Sequence, residues 1–134
     1  MRFVTSAALT TLGFGVWYPL NLSAKKALLA ALPFRPGVYA IRCCNSQRVL
    51  DGSDLFYFGK ATNLNGLNRR IRQYFHPGHG NATSLRIRSE IVGCCDFEVS
   101  WTDGPPNKAR ALESYLIESY EHEHGRLPPW NKQR

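Results

Sequence analysis

The sequence lacks the features that mark fibrous, repetitive or disordered proteins. Its 134 residues contain only four Cys and one Met, and charged residues make up only 20% of the chain. There is no internal repeat and no sustained heptad pattern, which excludes a repeat array and a coiled coil. Because 43% of the residues are hydrophobic, the chain can bury one core, and disorder is excluded as the dominant state.

Charge is absent from Phe3 to Ala24, so a membrane anchor or a secretory signal has to be considered. The stretch is interrupted by Pro19, two Gly and several Thr and Ser, whereas a spanning helix needs about 20 predominantly apolar residues. A secretory signal would need a basic start, an apolar run and a small-residue cleavage site. We therefore expect residues 1–35 to be an extension with a short helix that packs on the core. We also expect a cytoplasmic protein without a membrane partner.

The four cysteines occur as two adjacent pairs, Cys43–Cys44 and Cys94–Cys95. Adjacent residues on a strand point to opposite faces, so each pair can offer only one sulfur to a metal ion. This pattern disfavours structural zinc and favours buried, reduced thiols in the cytosol. One disulfide between the two pairs stays open as an alternative.

Acidic residues are missing from the middle of the chain. Between Leu55 and Arg88 there are six Lys and Arg and no Asp or Glu, while Ala111 to His124 contains four Glu and no Lys or Arg. The net charge is +7, and Arg, whose planar fork matches phosphate oxygens, outnumbers Lys. Nucleic acid is therefore the expected partner, with a solvated basic surface as the alternative.

Hydrophobic periodicity and turn residues predict four helices and three strands. The predicted helices cover 24–32 with Ser23 as N-cap, 66–75, 83–91 and 108–124. The predicted strands cover 37–43, 55–59 and 97–101, with a loop over 76–81. This order favours an α/β fold in which helices pack against a small antiparallel sheet.

Glu113 is an anomaly on the last predicted helix. At helical spacing it falls inside the apolar arc, whereas Glu118 and Glu121 lie on the polar side. A carboxylate on a core-facing stripe is costly unless it is paired or bound to a cation. Glu113 is therefore either a ligand, an edge residue that reaches water, or the partner of a buried Arg.

Arg70 is a second, weaker anomaly. It lies at the border of the apolar stripe of its helix, on the same side as Tyr74, while Arg69 and Arg72 point to solvent. One Arg can thus aim inward while its neighbours hold an exposed phosphate. The structural alternative is a buried pair between Arg70 and Glu113.

Two strand tyrosines and a lysine complete a chemical set with these two residues. Tyr39 lies on the first strand, and Tyr57 lies on the second, shortly before Lys60. Strand tyrosines usually pack in a core. Phosphodiester hydrolysis, however, needs a carboxylate for a divalent metal, a cation for the phosphate, and a phenol or amine for the proton of water.

At this point five motifs, in the right order, resemble those of the GIY-YIG nuclease superfamily. They are Gly37-Val38-Tyr39, Tyr57 to Leu64, Arg70 to Phe75, Leu112 to Ile117, and Pro129-Trp130-Asn131. Gly37-Val38-Tyr39 and Tyr57-Phe58-Gly59 resemble the two halves of the signature. The stretches Tyr57 to Leu64 and Arg70 to Phe75 are similar to the UvrC excision-repair nucleases. Leu112 to Ile117 resembles the family's metal-binding helix, and Pro129-Trp130-Asn131 resembles its closing element. The spacing from Gly59 to Arg70 is longer than usual by an insertion around Asn65 and Gly66.

The resemblance implies a fold and an activity. The fold would be a compact α/β nuclease domain over 36–134, built on a three-stranded antiparallel sheet flanked by helices. The activity would be endonucleolytic hydrolysis of DNA phosphodiester bonds with one Mg²⁺ or Mn²⁺ ion. Repair, restriction and mobile-element roles would all be compatible with it. The alternative is a non-catalytic nucleic-acid-binding module on the same fold.

The resemblance also implies roles for six residues of the site. Glu113 would hold the metal ion, and Arg70 would contact the scissile phosphate. Tyr39 is favoured as the general base, with Tyr57 as its partner. The two remaining residues, which would position water or phosphate and brace the site, are Lys60 and Asn131.

Further side chains are expected to contact DNA outside this catalytic set. They are Arg69, Arg72, Tyr74, His76, Arg86 and Arg88. Members of this family often carry a separate DNA-binding domain. For this sequence we expect specificity to come from a separate protein, from a homodimer, or from the structure of the DNA.

Overall fold

The protein is described from a computed structural model, over residues 6–49, 52–76 and 82–132. Apart from His76, the predicted loop over 76–81 lies outside the described residues. In the described part a mixed α/β fold is built on one antiparallel sheet, as predicted. Its strands are β1 Tyr18–Pro19, β2 Gly37–Cys43, β3 Leu55–Ala61 and β4 Phe97–Asp103, in the spatial order β1-β4-β2-β3.

The sheet has four strands, so the expectation of three is corrected. The additional strand, β1, pairs with β4 so that Tyr18 lies opposite Val99. The Tyr18 ring also stacks on Trp101 at a centroid distance of 5.1 Å. A strand of two residues that ends in Pro19 is too short to produce an alternating pattern, which is why periodicity cannot predict it.

The helices agree with the predicted order but differ at their ends. They are α1 Lys25–Ala31, α2 Gly66–Arg72, α3 Ala82–Gly93 and α4 Pro106–His124, with 3₁₀ turns at Ser6–Leu12, Leu22–Ala24, Ser46–Arg48 and Gln73–Phe75. The predicted N-cap Ser23 is wrong, because Asn21 Oδ1 accepts the bond from the Ala24 N–H at 3.0 Å. The helix α4 ends at Gly125, whose φ of +72° is the left-handed conformation that glycine tolerates.

Two clusters of apolar side chains cover the two faces of the sheet. One face packs against α1, α2 and α3, with Trp130 inserted into it. The other face packs against α4 and the N-terminal segment, which contributes Leu9 and Phe14. Because both faces of the sheet are covered, the central strand β2 is buried on both sides, and β3 is left at an edge of the sheet.

Within the described residues, no helix combines the length and the apolar character that a membrane crossing requires.

The cysteines are free thiols and differ in burial. Cys43 is buried and Cys94 is half-buried, whereas Cys44 and Cys95 are exposed. The expectation of buried thiols therefore holds fully only for Cys43, because side chains alternate between inside and outside at the end of β2. Although Cys44 is exposed as a residue, partial desolvation of its thiol and then the nearby Glu98 carboxylate raise the pKa of Cys44 to about 11.

Candidate active site

A polar cavity of about 490 Å³ opens beside the edge strand β3, between α2 and α4. The sheet places β3 at its edge, so side chains at the end of this strand meet both helices. Five of the six residues predicted to be catalytic line the cavity. They are Tyr57, Lys60, Arg70, Glu113 and Asn131.

The carboxylate of Glu113 faces Lys60 across this cavity. The helix α4 buries Ala109 and Ile117 one turn before and after Glu113, which explains why this position faces inward. Lys60 Nζ donates to Glu113 Oε1 at 2.9 Å, and the Glu113 side chain is only 12% exposed. The alternative of a structural Arg70–Glu113 pair is therefore wrong, because the cation that reaches the carboxylate comes from β3.

The Tyr39 side chain lies behind the cavity wall and is fully buried. Its hydroxyl is hydrogen-bonded to the Tyr74 hydroxyl and accepts a bond from Arg70 Nε at 3.4 Å. Burial raises the pKa of Tyr39, and burial likewise raises the pKa of Tyr74. Both phenols are therefore neutral at physiological pH.

The same arrangement fixes Arg70. Its guanidinium lies 5.9 Å from the centroid of the Tyr74 ring, and its Nε donates to the Tyr39 hydroxyl. Arg70 is half-buried and lines the cavity, so its charge is held at the wall by two buried tyrosines. The inward orientation inferred from the helical pattern is the one observed.

Gly59 is needed because the Tyr39 ring crosses directly over it. The two residues are opposite each other in the β2–β3 pairing. A Cβ atom on Gly59 would overlap the carbon and oxygen atoms at the end of the Tyr39 ring. Glycine in the third position of the second signature motif therefore leaves room for the tyrosine of the first.

Tyr57, rather than Tyr39, reaches the cavity. Its ring centroid is 6.0 Å from that of Tyr39, and 8% of the residue is exposed. The preference for Tyr39 as general base remains a prediction, and this placement favours Tyr57 for any direct contact with water or substrate.

Asn131 holds the outer edge of β3. Its Oδ1 accepts from the Phe58 N–H at 3.0 Å, and its Nδ2 donates to the Phe58 carbonyl at 2.9 Å. The preceding residue, Trp130, donates its backbone N–H to the Phe56 carbonyl at 2.9 Å. The Trp130 ring is buried against Phe56 and Phe97, with centroid distances of 5.5 and 4.5 Å. These contacts tie the segment after α4 to β3, and the role of Asn131 in bracing the site stays a prediction.

The residues predicted on α2 to contact DNA fall into different environments. Arg69 is exposed and lines the cavity. Arg72 is also exposed, and its guanidinium donates to Asn68 Oδ1 at 3.1 Å. Tyr74 is 1% exposed, so its expected contact with DNA is corrected to a role inside the core. The physical reason is that Tyr74 lies on the same apolar face as Leu67 and Ile71 and joins them in the core.

The remaining predicted DNA contacts lie outside the cavity lining. His76 is exposed at the end of the 3₁₀ turn, and Arg86 is exposed on α3. Arg88 is half-buried and lines a separate depression with Leu85 and Val92. The structure thus brings Arg69 to the site and leaves the two α3 arginines elsewhere.

Five polar residues of the cavity lining were missed in the sequence. They are Thr62, Asn63, Gln73, Thr83 and Lys132. Gln73 follows Arg70 by three positions, so helical spacing could have placed it on the same face. Thr62 and Asn63 directly follow the edge strand. Thr83 has no comparable signal, because its position depends on how α3 packs.

The donor set of this cavity fits a divalent ion that retains water. Magnesium is usually bound through one or two carboxylates together with substrate phosphates, and it keeps several waters. Glu113 supplies one carboxylate on the wall. In the part of the chain described here, no group of three or more His, Cys, Asp or Glu could enclose a metal ion. A closed, all-protein metal site is therefore not what these residues form.

Comparison with known proteins identifies similar sequences. The family described as "GIY-YIG catalytic domain" matches residues 35–126. UvrABC system protein C of Gloeobacter violaceus is 35% identical over 96 residues, which are 72% of this chain and 13% of that protein. The protein of the same name from Levilactobacillus brevis is 38% identical over 93 residues, which are 69% of this chain and 13% of that protein. No solved structure gives a significant match.

The matched range contains the elements that form most of the cavity. It includes β2, β3, α2 and α4, and with them Tyr57, Arg70 and Glu113. Asn131 and the N-terminal segment lie outside it. The chain covers only 13% of the length of these two relatives, so the likeness concerns one domain of a longer protein. Because the family match covers more than half of the residues, the chain belongs to the GIY-YIG family.

Proposed function

We propose that this chain is a metal-dependent endonuclease that hydrolyses phosphodiester bonds of DNA at the β3 edge. The observation that carries the proposal is one cavity that holds a carboxylate, four cationic side chains and a phenol. The family match and the relatives named UvrABC system protein C support a nuclease function on DNA. The net charge of +7 favours a polyanionic substrate.

The cavity suits one segment of a nucleic-acid backbone. Its volume of about 490 Å³ falls in the range of ligand sites, roughly 300 to 1,000 Å³. Arg69 and Arg70 lie one after the other on α2, and both line the wall. We assign Arg70 to the scissile phosphate, because its guanidinium is half-buried and held in place by Tyr39. The exposed Arg69 would bind a neighbouring phosphate.

Glu113 would hold the divalent ion, with the remaining ligand positions filled by water and substrate phosphate. When bound, the ion supplies Lewis-acid stabilisation of negative charge on the phosphoryl oxygens. Lys60 would leave Glu113 when the ion binds, and its ammonium would then be available to a phosphate oxygen or the attacking water. In this proposal Glu113 pairs with Lys60 in the metal-free protein and would bind the divalent ion in the active enzyme.

We assign the contact with attacking water to the Tyr57 hydroxyl, because this phenol is on the cavity wall. A group that accepts a proton must come within hydrogen-bond reach of it, which the buried Tyr39 hydroxyl does not. Tyr39 and Tyr74 would act as neutral supports that orient Arg70. Asn131 would keep β3, and with it Tyr57 and Lys60, at a fixed distance from α4.

The test is cleavage of supercoiled plasmid, single-stranded DNA and branched DNA, each with Mg²⁺, Mn²⁺ or EDTA. The Glu113→Gln variant removes the carboxylate charge, and Glu123→Gln, at an exposed position of the same helix, is the matched control. We expect metal-dependent cutting that falls by about 100-fold or more in Glu113→Gln, comparable to loss of an electrostatic catalytic group. The control variant should cut normally.

DNA binding and circular dichroism should be unchanged in both variants. Equal cutting by Glu113→Gln and the parent protein, or cutting that persists in EDTA, would contradict the proposal. Binding of DNA without cutting by the parent protein on every substrate would favour a non-catalytic binding module.

A further inference from the structure

An exposed leucine, Leu64, lies in a loop that contributes residues to the cavity lining. Leu64 is 90% exposed and is the most exposed large hydrophobic side chain in the described part of the chain. It belongs to the loop of residues 62–65 between β3 and α2, which we call the β3–α2 loop. Its neighbours Thr62 and Asn63 line the cavity, and so does Gly66 at the other end. One exposed leucine is ordinary, but this one lies beside a polar, cationic site.

The β3–α2 loop is anchored so that Leu64 cannot turn into the core. Gly66 donates its N–H to the Asn63 carbonyl at 3.0 Å and has a φ of +49°. A Cβ atom on Gly66 would overlap the carbonyl of Arg35. Leu67 is fully buried and donates its N–H to the same carbonyl at 2.8 Å. Leu67 thus takes the core position at the start of α2, and Leu64 is left at the tip.

Only some parts of a nucleic acid can form an apolar contact with Leu64. If the cavity holds a backbone phosphate, the atoms nearest to the β3–α2 loop belong to the adjoining nucleotides. Phosphates and sugars are polar, so only the faces of the bases offer an apolar surface. Those faces are covered by stacking in continuous duplex DNA and become accessible at an unpaired or displaced nucleotide. Apolar side chains that enter base steps, leucine among them, are a general device for binding distorted DNA.

We propose that Leu64 packs against an unstacked nucleobase next to the scissile phosphate, and so makes the site prefer DNA with an unpaired nucleotide. The proposal rests on the proposed function, because it assumes that the cavity binds the DNA backbone. It assigns the choice of substrate class to the β3–α2 loop. In this proposal the amide of Asn63, which lines the cavity, would meet the edge of the same base.

The test measures binding rather than cutting. The full chain carrying Glu113→Gln is titrated, in EDTA, into a duplex with a one-nucleotide bulge and into the same duplex without it. Both DNAs contain 2-aminopurine beside the bulge position, whose fluorescence reports unstacking. The variants compared in this background are Leu64→Ala and the matched control Leu22→Ala, an exposed leucine outside the cavity lining.

We expect the bulged duplex to bind about tenfold more tightly than the continuous one, the gain that burial of one leucine side chain can supply. Leu64→Ala should lose this preference and the rise in 2-aminopurine fluorescence, with less than about a twofold change on continuous duplex. Leu22→Ala should keep both. Phosphate contacts, which carry the remaining affinity, are the same in all variants.

Three results would overturn the proposal. They are equal binding of the two duplexes by the parent chain, a preference that survives in Leu64→Ala, and an equal loss on both DNAs. The second result would leave Leu64 as a contact for something other than a base, such as another protein. Because no step of this assay requires cutting, its outcome is independent of the cleavage test. If the assay shows selection of the bulge and the chain with Glu113 intact does not cut that DNA with Mg²⁺ or Mn²⁺, the nuclease proposal is refuted and this one is supported.

Discussion

Lys60 and Glu113 form an ion pair across the cavity, with Nζ and Oε1 2.9 Å apart, and this pair joins the end of β3 to the middle of α4. The two side chains differ in exposure, 40% for Lys60 and 12% for Glu113. An ammonium therefore holds the carboxylate at the place where a divalent ion is proposed to bind. One carboxylate oxygen cannot serve both cations fully, so the lysine and the metal ion compete.

Replacement of Lys60 by Met should therefore raise the affinity of the free protein for Mn²⁺. Removal of the competing ammonium should lower the dissociation constant about fivefold, the equivalent of about 1 kcal/mol for a partly exposed ion pair. Isothermal titration calorimetry without DNA measures this directly. The control is Arg69→Met, which removes one positive charge from the same wall without removing the partner of Glu113. A Lys60→Met affinity no higher than that of the control would contradict the competition.

Tyr39→Phe should change how the free energy of unfolding depends on pH, because it removes a buried phenol. Burial raises the pKa of Tyr39 above its ordinary value of 10.0, so above about pH 10 the unfolded chain binds fewer protons than the folded one. The free energy of unfolding then falls as pH rises, by up to ~1.4 kcal/mol per pH unit for each such tyrosine. Tyr39→Phe should make this decline shallower, and should cost about 1 kcal/mol at pH 7 through the lost hydrogen bonds.

Urea unfolding at intervals between pH 7 and pH 11 measures both effects. Part of the decline should persist in Tyr39→Phe, because burial also raises the pKa of Tyr74. Tyr115→Phe, at a tyrosine that is 46% exposed, serves as the control. A decline in Tyr39→Phe as steep as in the parent protein would show that the Tyr39 phenol is not protected from ionisation.

Gly59→Ala should destabilise the fold by about 2 kcal/mol, the usual cost of a methyl group forced into a packed core. The added Cβ would overlap the Tyr39 ring, and movement of that ring would release Arg70 from its partner. Thermal and urea unfolding measure the loss. Gly93→Ala is the matched control, since a Cβ there meets nothing within 4 Å. Equal effects of the two substitutions would refute the packing argument.

Much of the fold could be predicted because its signals are local. The strand β2 is a run of β-formers, and α4 has both a clear apolar arc and a glycine stop, so both were placed within two residues of their observed bounds. Glu113 could be singled out because it breaks that arc. Patterns of this kind depend only on the period of a helix or strand.

The parts that could not be predicted depend on packing between distant segments. Nothing near Lys60 in the sequence indicates that it meets Glu113, because the contact is set by how α4 lies on the sheet. The expected DNA contact of Tyr74 came from the resemblance, whereas its helical spacing from Leu67 and Ile71 already put it on the apolar side, where it is buried. The bracing role of Asn131 was proposed from the resemblance alone. Its two hydrogen bonds go to Phe58, which is far away in the sequence, so no local pattern could indicate them.

The hydrogen bonds of Trp130 and Asn131 to Phe56 and Phe58 also affect whether the molecules aggregate in a crowded solution. An edge strand with unpaired N–H and C=O groups is a template for strands of other molecules. Here three such groups on β3 are already occupied by the segment that follows α4. The segment that supports the cavity therefore also keeps each molecule from adding its sheet to that of a neighbour, so a shortened chain would be prone to aggregate.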